Sequence, residues 1–274
     1  MATINTNPGA MIALQNLNKT NSDLQQVQQR INTGLAISSA KDNGGIYAIA
    51  QSMRADVGGY KAVSQSLDLA TSTVDVALAA GEAISDIMVE MKEKALAAAD
   101  SSLDTASRTA LNEDFKALRD QIGTIVENAE FNGKNLISNG ATDISALANA
   151  DGSNTITIGA EDLSLTGTTL TITGGTEIGT VTNASAAATA IGTSLDNLNA
   201  SLARLGTGSK SLEIHKTFVG KLSDTLEQGI GNLVDADLAK ESARLQSLQV
   251  KQQLGVQALS IANSAPSSIL GYFR

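Results

Sequence analysis

Apolar residues recur along this chain in alternating steps of three and four, the spacing that lines one face of a helix built to pack on another helix. The cleanest run is Tyr60, Val63, Leu67, Ala70, Val74, Ala77, Gly81, Ile84, Met88, Met91, Ala95 and Ala98, in which only Gly81 lacks an apolar side chain. It predicts a helix over 46–98, about 80 Å long at about 1.5 Å per residue, a rod rather than a globule. Asp100-Ser101-Ser102-Leu103-Asp104 then breaks the pattern and supplies N-cap residues for a second helix. Phe115, Leu118, Ile122 and Ile125 give that helix an apolar face, consistent with folding back antiparallel on the first.

A second long run is Ile191, Leu195, Leu198, Leu202, Leu205, Leu212, Val219, Leu226, Ile230 and Leu233, with polar Ser209, Lys216 and Ser223 at seam positions. A third, Leu14, Leu17, Asn21, Leu24, Gln28, Ile31 and Leu35, is half polar. A patterned helix without a partner exposes its stripe, so these segments should pack on one another. Residues 140–185 differ: Thr155–Ile158, Thr168–Thr173 and Ile178–Thr182 read as short strands, and Gly174-Gly175 as a hairpin turn. About 45 residues cannot build a large core. The segment is therefore read as a small β insertion, with a mobile loop as the alternative. Asn132-Gly133 marks a tight turn that Phe131 anchors to the helices.

Composition narrows the chemistry. The 274 residues include no Cys, no Trp, one His, three Tyr and four Phe. Disulfides, thiol nucleophiles, zinc–thiolate sites and iron–sulfur ligation are excluded. The two prolines are Pro8 and Pro266, so no proline between them stands in the way of a long helix. A net charge of −9 and a pI near 4.6 argue against a nucleic-acid groove, which would need a basic stripe. The start has no basic n-region and no run reaches the roughly 18 apolar residues of a membrane span. No membrane insertion is expected, and the chain is cytosolic or leaves the cell without a cleaved signal peptide.

No catalytic, cofactor or metal site is expected. His215 has no second His and no Cys, and is read as a surface histidine on a helix. Asp235-Ala236-Asp237 with Glu241 resembles a calcium loop but lacks the central Gly and the alternation of oxygen ligands. The dense Ser and Thr of 153–194 offer hydroxyls for O-linked sugars if exposed, and Asn183-Ala184-Ser185 and Asn199-Ala200-Ser201 fit the N-glycosylation pattern. The ends share another trait. No acidic residue occurs from Ser242 to Arg274, and the first 22 residues carry one charge, Lys19. Such ends, still apolar in pattern, look made to be buried by other chains.

Several ordered motifs at those ends resemble bacterial flagellin. They are Ile4-Asn5-Thr6-Asn7, Asn16-Leu17-Asn18-Lys19, the stretch Arg30-Ile31-Asn32-Thr33-Gly34-Leu35 through Ser39-Ala40-Lys41-Asp42, and Glu130-Phe131-Asn132-Gly133-Lys134-Asn135-Leu136. The C-terminal half adds Val234-Asp235-Ala236-Asp237-Leu238-Ala239-Lys240-Glu241, Gln253 to Asn263, and the close at Ile269-Leu270-Gly271-Tyr272-Phe273-Arg274. The resemblance covers about 1–139 and 186–274, with a very short variable segment between.

The resemblance implies a mainly α fold: an elongated antiparallel long-helix/coiled-coil bundle formed by N- and C-terminal arms, with a small β insertion. It implies five parts: an inner-tube arm 1–44, an outer-wall half 45–139, the variable insertion 140–185, a second outer-wall half 186–233, and a second inner-tube arm 234–274. It also implies a secreted subunit, exported through the flagellar type III pathway and polymerised into the extracellular filament used for swimming. The implied partners are other flagellin subunits, hook-associated and cap proteins, and an export chaperone at the C-terminal segment. The terminal arms are expected to be disordered in the monomer and to fold on assembly. Leu14, Leu17, Leu24, Ile31, Leu35, Leu254, Leu259, Ile269, Leu270 and Phe273 are the expected polymerisation contacts. Gly44 and Gly45 stand where the family has alanines and are read as a hinge. In flagellins that activate the vertebrate innate flagellin receptor, an arginine, a leucine four residues on and an acidic residue on the next helix form the recognised surface. Here those positions are Glu90, Lys94 and Asp114. The alternatives carried forward are a hook-associated junction protein and a secreted coiled-coil effector.

Overall fold

The computed structural model describes residues 6–165 and 167–270, with side chains through Ser264. Helix α1 (Pro8–Thr33) starts where the Asn7 carboxamide accepts from the Ala10 N–H at 3.1 Å. Pro8 sits at a helix start, where a missing N–H costs nothing, and Gly34 ends the helix in the left-handed region at φ 70°. After a non-helical stretch, α2 (Gly44–Ala98) begins with the Asn43 side chain accepting from the Ile46 N–H. The interruption expected near 100 is present. Asp104 caps α3 (Thr105–Asn128), and the Arg108 guanidinium donates to the carbonyls of Ala98, Asp100 and Leu103, satisfying the exposed end of α2. Two longer helices follow later, α4 (Val181–Val234) and α5 (Leu238–Leu270).

Two small antiparallel strand pairs complete the mainly α fold. Strands β1 (Glu130–Phe131) and β2 (Lys134–Asn135) flank Asn132 and Gly133, at φ 50° and 77°, the two-residue turn expected from Asn-Gly. Strands β3 (Ile144–Leu147) and β4 (Thr155–Ile158) pair Ile144 with Ile158 and Leu147 with Thr155.

The expected strands at 168–173 and 178–182 do not form, and Gly174-Gly175 makes a lone turn closed by Thr176 N–H on the Thr173 carbonyl. The reason is that side chains of the helices take up the backbone groups a neighbouring strand would have met. Thr171 N–H donates to Ser194 Oγ at 2.8 Å, Asn197 donates to the Thr169 carbonyl, and Ile178 N–H donates to Asn112 Oδ1 at 2.7 Å. Thr180 accepts from the Asn183 N–H, so α4 starts at Val181, inside the segment read as insertion.

The described residues form two compact units, one of 56–224 and one of residues up to Ala55 together with those from Thr225 onward. In the first, α2 and α4 run antiparallel: Lys216 pairs with Asp68, Ser209 with Asp75, and Leu202 lies where Gly81 leaves room. The α2 seam read from sequence is the buried seam from Val63 to Ala98, and Gly81 is the position at which a side chain would strike Leu202. On α4 the buried line is Ile191, Ser194, Leu198, Ser201, Leu205 and Leu212, while Leu195 and Leu202 are half-buried beside it. Ser201 hydrogen-bonds Glu161, whose carboxylate also takes two hydrogen bonds from Arg204 at 2.6 Å. Arg204 is thus the main reason the Glu161 carboxyl is held below its ordinary range.

Candidate interface of the paired terminal helices

In the second unit, α1 and α5 pair antiparallel. Their seam on α5 steps through Glu241, Leu245, Leu248, Gln252, Gly255, Leu259 and Ala262, each buried or half-buried. On α1 it is Ala10, Ala13, Leu17, Thr20, Leu24, Val27 and Ile31. The run read from sequence shares Leu17, Leu24 and Ile31 with this seam, but Leu14 and Gln28 are exposed. Small side chains occupy the contact, so the alanines and Val27 serve where the larger residues were expected.

Specific contacts fix how the two helices align. Asn7 Nδ2 donates to the Ala262 carbonyl at 2.7 Å, Gln252 Nε2 to Asn21 Oδ1 at 2.7 Å, and Arg30 Nη1 to Glu241 Oε1 at 3.1 Å. Leu17 packs over Gly255, and Leu35 bridges Asp235 while Ala36 and Ala236 exchange backbone bonds with Val234 and Gly34. The Arg30–Asp42 and Val234–Glu241 motifs, far apart in sequence, therefore meet. Asp237 caps α5 through the Lys240 N–H, and Asp42 accepts from Ser38 and Ser39, whose backbone N–H groups are the first reason its carboxyl is held below the usual range.

The expected polymerisation contacts divide into groups. Leu14 and Leu254 are exposed, whereas Leu17, Leu24, Ile31, Leu35 and Leu259 are half-buried. The side chains of Ile269 and Leu270, and all of Phe273, lie outside the described residues. Sequence reasoning passed over Met11 (65% exposed), Ile12 (60%), Val250, Val256 and Ile261 (71%), which stand bare on the same two helices. A groove of about 420 Å³ runs among Pro8, Met11, Ile12, Leu14, Gln15 and Asn18. Gly44 and Gly45 are the first two residues of α2 and exposed, so the cost of glycine in a helix interior does not apply to them.

Glu90, Lys94 and Asp114 do form one surface group. Lys94 Nζ lies 3.1 Å from Asp114 and 3.7 Å from Glu90, and the Asp114 hydrogen bond holds its ammonium above the usual lysine range. His215 Nε2 is 2.7 Å from the Ala148 carbonyl and its ring leans on Phe218, a packing role for the lone histidine. No helix among the described residues is long and apolar enough to cross a membrane.

Long helices paired antiparallel, with apolar residues bare on α1 and α5, define a mainly α helical-bundle protein. Comparison with known proteins identifies which. Residues 4–142 match the family model of the bacterial flagellin N-terminal helical region, and residues 188–273 that of the C-terminal helical region. Flagellin FljM of Caulobacter vibrioides is 58% identical over 274 residues, covering 99% of this chain and 98% of its own. A flagellin of Brucella melitensis is 40% identical over 287 residues and covers 100% of both. A flagellar hook-associated protein from Vibrio parahaemolyticus aligns at a TM-score of 0.60 over 71% of this chain and 100% of its own, but at 14% identity it shares the fold alone. The chain belongs to the bacterial flagellins. It is a secreted structural subunit that polymerises with its own kind into the extracellular filament of the flagellum, which serves motility.

Proposed function

We propose that the bare faces of α1 and α5 are the contact through which copies of this chain stack into the filament. The observation that carries this is the concentration of exposed Met11, Ile12, Leu14, Val250, Leu254, Val256 and Ile261 on two helices that have little charge. Apolar faces of this extent are ordinarily covered by a partner. Leu17, Leu24, Ile31, Leu35 and Leu259 act one step back, holding the pair together. On this reading the arms 1–44 and 234–274 line the inner tube, 45–139 and 186–233 form the outer wall, and 140–185 faces solvent. Gly44-Gly45 eases the turn into α2. Export follows the flagellar type III route, a chaperone covers the C-terminal segment before export, hook-associated and cap proteins meet the filament ends, and no reaction is catalysed. Glu90 and Lys94 make the outer surface a poor ligand for the vertebrate innate flagellin receptor.

Leu254→Asp tests the contact. The side chain is exposed in the single chain, so the fold should be unchanged by circular dichroism. On assembly an unpaired carboxylate would be buried, at a cost of several kcal/mol repeated at every subunit. Sedimentation should find no filaments. Filaments formed as readily as by the unaltered chain would overturn the proposal.

A further inference from the structure

The apolar part of the α1–α5 seam is poor at choosing its own alignment. Ala10, Ala13, Gly255 and Ala262 present little shape, and a seven-residue repeat looks much the same after a slip of one repeat. Beside the uncharged bonds Asn7–Ala262 and Asn21–Gln252 and the backbone bonds that join 34–36 to 234–236, one contact across the seam is ionic. Glu241 is the sole acidic residue of α5, and α1 carries only two basic ones, Lys19 and Arg30. Sliding α5 by one heptad in either direction sets Glu241 opposite Asp23 or Ile37, and Arg30 opposite Val234 or Leu248. Each alternative buries a carboxylate without a cation. Glu241 is only 8% exposed, so that penalty is large. The pair is not optimised for strength: Arg30 Nε and Glu241 Oε2 are buried without hydrogen-bond partners. A buried ion pair of modest strength and unique placement is suited to specifying an arrangement.

We infer that Arg30 and Glu241 are positioning residues that set the register of α1 against α5, and so align the apolar faces offered to neighbouring copies. This rests on the interface reading above. The chain has no cysteine, so engineered disulfides report register without background. Leu17 Cβ lies 3.9 Å from where a Cβ on residue 255 would stand, within disulfide range. Leu17→Cys is combined in turn with Gly255→Cys, Leu248→Cys and Ala262→Cys, the last two reporting slips of one heptad. The chain is oxidised both dilute and under polymerising conditions, the latter deciding where the dilute arms do not pair, and filament formation is read in parallel by sedimentation without oxidation.

With Arg30 and Glu241 intact, the 17–255 product should dominate. In Glu241→Ala the slipped products should rise to the same order as it, and filaments should be lost. The exchange Arg30→Glu with Glu241→Arg should restore 17–255. A 17–255 product that still dominates in Glu241→Ala overturns the inference, as does an exchange that restores nothing. Should the variant's helices come apart and cross-link indiscriminately, the exchange decides in the same way. The interface reading fails separately, through Leu254→Asp, whose side chain lies outside the seam.

Discussion

Lys94 shows how one side chain can serve the fold and alter a surface. Its ammonium ties Glu90, one turn back on α2, to Asp114 on α3, outside the seam of Met88, Met91 and Ala95. On the receptor surface that the resemblance implies, an arginine, a leucine and an acidic residue would stand at positions 90, 94 and 114. Here an acid stands first, a base second, and the third is engaged. A central charge reversal with loss of an apolar anchor costs several kcal/mol in an interface, or more than a hundredfold in affinity at about 1.4 kcal/mol per tenfold. The monomer should activate a receptor reporter weakly, and Glu90→Arg/Lys94→Leu should gain activity while still polymerising. Strong activation by the unaltered chain would refute this. At this scale much was legible in the chain itself. The α2 seam, the Asp104 cap and the Asn132-Gly133 turn depend on neighbours a few residues away. Ser194 and Ser201 were not legible, because they are buried for their hydrogen bonds to Thr171 and Glu161. Nothing local distinguishes them from exposed serines.

Among the elements, α1 and α5 are held differently from the rest. Within 56–224 the buried set includes Leu67, Ile84, Met88, Phe115, Ile122 and Ile191, whereas among the described side chains of α1 and α5 only Val27, Leu248 and Glu241 are buried. At about 25 cal/mol per Å² of apolar area, so small a core leaves little stability, and long helices without packing fray. Limited proteolysis of the monomer, read by mass spectrometry, should therefore cut α1 and α5 first and leave a core containing 56–224. Early cuts within 60–98, with the ends intact, would contradict this. The same scale shows why 168–173 misled. Alternating Thr and Leu or Ile suits a strand, yet the backbone found its partners on α3 and α4, and Leu170, Ile172 and Ile178 packed into the helical core. β-propensity describes a fit to a half-buried surface, and helices can supply that surface as well as a neighbouring strand.

For the whole molecule, charge sets the pH range of stability. Asp42, Asp100 and Asp104 are held below the ordinary range by backbone or side-chain hydrogen bonds from serines, and Glu161 chiefly by Arg204. A carboxyl with a depressed folded pKa contributes stability that is present above its unfolded value, 3.8 for Asp and 4.5 for Glu, and lost as pH falls through the folded one. Lys94 and Lys116 are raised by Asp114 and by Glu113 and Glu177, so their contribution holds up to the usual lysine value of 10.5 and is lost only beyond it. The thermal midpoint should stay level through neutral pH and fall below about pH 4.5. Glu161→Gln should flatten part of that acid limb, measured by circular dichroism, and an unchanged limb would exclude the Arg204 pair as a source. What the sequence determined by itself was the set of long helices, the cap at Asp104, the small β element at 155–158 and the flagellin character of both ends. Each follows from periodicity or motifs a few residues long. Tertiary structure alone decided which residues of α1 and α4 face inward, why 168–180 is not a strand, and that Arg30 meets Glu241. Those depend on what stands opposite across a contact, and residues hundreds of positions apart carry no local mark of each other.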